Sequence, residues 1–106
     1  MRILFLGDVV GISGCSKIMN NLLDQLKINK IDFVIINGEN AAEAGVGLTR
    51  EICEDFFNCG VNVITTGNHV WDQKEIMNYI DKENRLLRPK NLFEPAPGKA
   101  LEIFKT

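Results

Sequence analysis

Three short stretches hold the side chains able to do chemistry, and each follows a glycine: Gly7-Asp8, Gly38-Glu39-Asn40 and Gly67-Asn68-His69. Asp8 and Glu39 supply carboxylates, Asn40 and Asn68 supply amide oxygens, and His69 is the one imidazole in the chain. Oxygen donors joined by a nitrogen donor suit Mn, Fe or Zn, and not the thiolate-rich shell of a structural zinc. Any single pair reads as a turn or a cap, because Gly, Asp and Asn populate turns for purely local reasons. Three equivalent sites in one short chain point instead to a divalent-cation site, provided the fold makes them converge.

The elements around them supply that convergence. Arg2–Gly7, Asp32–Gly38 and Asn62–Gly67 are short β-rich segments, each ending at glycine. Their continuous apolar runs suit strands covered on both faces, as in a parallel sheet. Between them lie helical patterns. Ile18, Leu22, Leu23, Leu26 and Ile28 form a stripe from Ser16, a suitable N-cap, to about Asn29. Ile52, Cys53, Phe56 and Phe57 share a face between Thr49 and Cys59, with Gly60 as a left-handed stop. A third helix is expected from Gln73 to Ile80, with Asp72 and Glu75 as a capping box. The order β-α-β-α-β-α defines an α/β fold, a parallel βαβαβα sheet with right-handed crossovers and helices on its faces. Such sheets bind ligands outside the carboxyl ends of their strands, where all three chemical stretches stand. Residues 81–99 read as loop and contain all three prolines. Ala100–Phe104 alternates partly like a last strand, and its unpaired edge would be a template for self-association into a homo-oligomer.

The composition narrows the class. The chain has 106 residues, 45% hydrophobic and 25% charged, ordinary for one soluble domain. Twelve basic against fourteen acidic residues give a net charge of -2. With no basic stripe, nucleic-acid binding through phosphates is disfavoured. The apolar runs are too short to span a bilayer, so no membrane partner is expected. The acid at position 8 and the missing cleavage site argue against a signal peptide. Cys15, Cys53 and Cys59 are odd in number and form no CxxC, as in a reduced, cytoplasmic chain.

The stretches "MRILFLGDVVG", "DFVIINGENAAEAGVGLT", "GVNVITTGNHVWDQKEI" and "RLLRPKN" resemble the YmdB-like cyclic-nucleotide phosphodiesterases, a branch of the calcineurin-like metallophosphoesterases. The broader superfamily has Asp-x-His and Gly-Asp-x-x-Asp motifs. Here Val10 replaces the histidine and "GEN" the second motif, as in the YmdB-like branch. The resemblance implies two divalent metal ions (Fe, Mn or Zn). Asp8, Glu39 and Asn40 would hold one, and Glu39 would bridge to a second held by Asn68. His69 would act on the scissile phosphate rather than bind metal. The implied substrates are phosphodiesters, 2',3'-cyclic nucleotides among them. The superfamily adds three further histidines, one alone and two in Gly-His-x-His, which this stretch lacks. The expectation is therefore the N-terminal part of a metallophosphoesterase α/β sandwich that continues past Thr106, with little activity in residues 1–106 alone.

Other residues are read more plainly. Trp71 is expected to pack at a helix start. Asp72 reads first as an N-cap and second as a partner orienting His69; the roles are compatible. "EAGVGLT" (Glu43–Thr49) lacks a full GxGxxG and follows the second strand, so it reads as a flexible loop, not a phosphate cradle. No phosphate role is assigned to Arg50, Arg85 or Arg88. Two alternatives stand beside the enzyme: a nucleotide-binding module without chemistry, and a regulatory or assembly module with the same fold. The first lacks its glycine fingerprint.

Overall fold

A computed structural model describes every residue of the chain except Glu94. Strands β1 (Ile3–Leu6), β2 (Phe33–Asn37), β3 (Val63–Thr65) and β4 (Leu86–Leu87) form one parallel sheet in the order β1-β2-β3-β4. Helices α1 (Gly11–Asn29), α2 (Arg50–Asn58) and α3 (Ile76–Ile80) occupy the three crossovers. The α/β class and the parallel sheet are as the periodicity implies, with one more strand.

The register sorts the strand residues into two faces. Leu4, Leu6, Val34, Ile36, Ile64 and Leu86 point one way. They pack with Cys15 and Leu22 of α1, Cys53 and Phe56 of α2, and Ile76 and Ile80 of α3. Ile3, Phe5, Phe33, Ile35 and Val63 point the other way and lie outside this cluster. Ile3 is 52% and Phe5 59% exposed, so the expectation of helices on both faces is corrected. Right-handed crossovers between strands laid down in strictly sequential order deposit every helix on the same side. The second face is partly clothed by the last residues: Phe104 packs on Phe33 with ring centroids 6.1 Å apart.

Several boundaries differ from the sequence expectations. Helix α1 starts at Gly11, five residues before Ser16, with Val10 at the cap position and no side-chain cap. Ser16 is therefore interior to the helix. Helix α2 is as expected, with Thr49 Oγ1 accepting from the Ile52 N–H at 3.3 Å and Gly60 at φ 112° beyond its end. Helix α3 is shorter than expected, and the Asp72–Glu75 capping box does not form. Glu75 instead accepts from the Arg50 N–H at 3.0 Å, so it caps the first turn of α2. The strand expected at Ala100–Phe104 is absent; the nearest pairing is a single parallel bridge between Leu87 and Lys99. The outer strands of the sheet are β1 and β4, and the self-association edge inferred for Ala100–Phe104 loses its basis. A groove of about 760 Å³ runs between β1 and α1, lined by Leu4, Leu6, Lys17, Ile18 and Leu22 among others, and includes none of Asp8, Glu39, Asn40, Asn68 or His69. Among the described residues, no helix is long and apolar enough to cross a membrane.

Candidate metal centre at the strand ends

Backbone pairing between the first two strands persists beyond their ends. The Val9 N–H donates to Asn37 O at 3.2 Å, the Gly11 N–H to Asn40 O at 2.9 Å, and Val10 bridges Asn40 in parallel. This extension sets Asp8 beside Asn40. The Asn40 amide then donates through Nδ2 to both carboxylate oxygens of Asp8, at 2.9 and 3.2 Å. Because Nδ2 must face the carboxylate, Oδ1 is the atom turned away. It is buried and has no hydrogen-bond partner among the described residues. A buried acceptor left unsatisfied costs about 1–3 kcal/mol, so Oδ1 is set up to receive a cation or a donor.

The third strand end meets the second through Glu39. The His69 backbone N–H donates to Glu39 Oε2 at 3.2 Å. The same carboxylate lies so close to Gly67 that a Cβ there would sit 2.6 Å from both Cδ and Oε2 of Glu39. Only glycine leaves room for this approach, a tighter demand than the sharp turn expected of it. Asn68 lies between these two contacts, exposed, on the same rim. Asp8, Asn40, Glu39 and the 67–69 turn thus form one continuous line of contacts across the carboxyl ends of β1, β2 and β3.

His69 is turned into its own loop. Its Nδ1 is 2.7 Å from Asp72 Oδ2, a pair open to solvent, with side chains 38% and 37% exposed. The second reading of Asp72 therefore describes the structure and the first does not. The 43–47 loop is tied down rather than free: the Ala42 N–H donates to Gly47 O at 3.0 Å, and Gln73 Nε2 donates to Val46 O at 3.2 Å. Trp71 packs half-buried against the core. Arg50 pairs with Glu54 and lies over the Tyr79 ring; Arg85 pairs with Glu83 and lies over Phe57.

The donor set fits a hard or borderline divalent cation. It has two carboxylates, Asp8 and Glu39, and the orphaned oxygen of Asn40, a residue bonded to Asp8 and next to Glu39 in sequence. It is sparse in charge: among the described residues no group of three or more His, Cys, Asp and Glu is placed to hold a metal. The thiols take no part. Burial raises the pKa of Cys15, Cys53 and Cys59, keeping each a neutral thiol at physiological pH. The sequence missed the Asn40–Asp8 bond and the Glu39–Gly67 approach, since no local spacing reports a contact between residues about thirty apart.

Known proteins resemble the chain in sequence and in fold. The chain is 47% identical over 106 residues to a 2',3'-cyclic-nucleotide 2'-phosphodiesterase of Bacillus subtilis strain 168, covering 99% of this chain and 39% of that protein. A crystal structure of a novel phosphatase from Mycoplasma pneumoniae matches with a TM-score of 0.90 and 35% identity, over 100% of this chain and 39% of that one. A hypothetical protein from Thermus thermophilus matches with a TM-score of 0.85 and 38% identity, over 97% and 40%. The chain spans about two fifths of the length of these relatives. The family model for YmdB-like proteins matches residues 4–106, and the chain belongs to that family.

Proposed function

We propose that the protein is a metal-dependent phosphodiesterase acting on phosphodiesters such as 2',3'-cyclic nucleotides, to which residues 1–106 contribute one side of a dinuclear site. The observation that carries this reading is the buried Asn40 Oδ1, without a partner among the described residues and held beside Asp8 and next to Glu39. The activity in the name of the Bacillus subtilis relative supports the choice of substrate. Asp8, Glu39 and Asn40 would hold one Fe, Mn or Zn ion, and Asn68, with Glu39 shared, a second. Bound divalent cations would polarise the phosphate oxygens and make a water molecule nucleophilic near neutral pH. The chain's own residues do the rest. The carboxylates neutralise the cation charge, Gly67 and the His69 N–H fix Glu39, and the His69 ring donates a proton to the departing alkoxide. With only two carboxylates in the set, repulsion between two cations goes largely uncompensated, so residues 1–106 alone turn over little substrate. The three free thiols are in keeping with a reducing, cytoplasmic setting.

Calorimetric titration with Mn²⁺ and Zn²⁺ tests the metal half of the proposal: Asn40→Ala and Glu39→Ala abolish binding that the unaltered chain shows. Turnover is measured in a chimera completed with the part of the Bacillus subtilis relative that this chain does not match. There, His69→Ala retains metal and loses about 10²–10⁴-fold in kcat. Metal loss in His69→Ala would make His69 a ligand, and full hydrolysis by 1–106 alone would refute its dependence on further residues.

A further inference from the structure

Beyond Asn68 the chain makes two tight turns, from the Val70 N–H to Gly67 O and from the Asp72 N–H to His69 O, both at 3.1 Å. They fold residue 72 back over residue 69 and place Asp72 Oδ2 2.7 Å from His69 Nδ1. An ionised carboxylate only accepts hydrogen bonds. Nδ1 is therefore the protonated ring nitrogen in this pair, and Nε2 is left for other work. Asp72 is itself held from behind. Gly47, at φ 82°, lies so close that a Cβ there would be 3.2 Å from Asp72 Cβ and 3.0 Å from the Gln73 nitrogen. The Gln73 amide is tied to Val46 O across the same seam. Helix α3 begins only at Ile76, so capping does not explain an acid at position 72.

We propose that Asp72 is a positioning residue that keeps a proton on His69 Nδ1 and turns Nε2 to the phosphodiester, so that a proton Nε2 takes up from water is the one passed to the departing alkoxide, with the Gly47 turn as its backstop. The consequence for catalysis rests on the phosphodiesterase reading above; the tautomer does not. A ring free to flip would offer either nitrogen, in either orientation, at each encounter with substrate. A ring held by Asp72 offers one nitrogen in one direction. Freezing such freedom before the reaction is how positioned groups gain effective concentration.

The test is long-range ¹⁵N–¹H NMR of the His69 ring in the labelled 106-residue chain, at a pH where the imidazole is neutral. Because His69 is the chain's one histidine, the ring signals need no assignment. The expected result is a protonated Nδ1 and a bare Nε2. In Asp72→Ala and in the isosteric Asp72→Asn, the ring shifts toward the Nε2-protonated form while the backbone spectrum elsewhere is retained. A wild-type ring protonated mainly at Nε2, or a tautomer unchanged in both variants, overturns the proposal. In the completed chimera, Asp72→Asn lowers kcat about 10–100-fold with KM little changed; an unchanged kcat overturns the positioning role. A chimera that hydrolyses no phosphodiester while the tautomer pattern holds sinks the functional reading and leaves the His69–Asp72 assignment supported.

Discussion

A glycine can matter through what it lets come near. At position 67 the carboxylate of Glu39 occupies the space a side chain would need, and the next two residues supply Asn68 and the N–H that Glu39 accepts. Gly67→Ala is therefore expected to push the Glu39 carboxylate off the rim without unfolding the chain. Metal affinity then falls about 10–100-fold, the range for disturbing a ligand's support, while the far-ultraviolet circular dichroism is kept. Unchanged affinity in that variant would mean Glu39 is not a ligand. The residue types at the candidate site are legible in the sequence, because glycine followed by a carboxylate, amide or imidazole recurs at three strand ends. Their pairings are not. Asn40 with Asp8 and Gly67 with Glu39 are contacts between strands, and nothing in a local window encodes them. Asp72 with His69 is three residues apart, and there the sequence offered two readings that only the position of α3 separates.

Among the elements, the strongest signals were the ones with a physical stop at both ends. Helix α2 has a threonine that accepts from its first turn, one apolar face, and Gly60 beyond it, and it forms where those signals place it. Thr49→Ala is expected to cost about 1 kcal/mol, seen as a lower midpoint in denaturant melts. A loss much larger than that would show Thr49 holding more than the helix end. Where the sequence erred, a neighbour had taken the signal. Ser16 looks like a cap, yet α1 is already nucleated by the turn at Gly11, whose N–H is bound to Asn40 O. Glu75 looks like part of a capping box for α3, yet its carboxylate reaches across to the N–H of Arg50. Strand β4, two residues long, was hidden in a stretch rich in charges because Leu86-Leu87 is too short to show a period. The Ala100–Phe104 pattern alternates without forming a ladder, since no strand lies alongside it beyond one bridge at Lys99.

For the molecule as a whole, burial of weak acids dictates how the fold responds to alkali. Tyr79, the one tyrosine, has its pKa pushed up to about 12, first by burial and then by neighbouring acidic groups. Burial likewise raises the three thiols from their ordinary value near 9. A group held neutral in the fold but free to ionise once unfolded lends stability that is complete below its unfolded pKa and fades as pH climbs toward its folded one. Stability is therefore expected to decline from about pH 9 upward, and the absorbance of Tyr79 to titrate near 12 in the native chain against about 10 in denaturant. A native tyrosine titrating near 10 would refute the burial argument. The sequential strand order has another effect at this scale. Sheets that reverse their winding open a crevice where the reversal occurs, and small molecules settle into it with walls on either hand. This sheet never reverses. Its rim is a ledge with Asp8, Glu39, Asn40 and Asn68 along one open border; on the function proposed above these four would meet a phosphate from one side, and choice among phosphodiesters would fall to other residues.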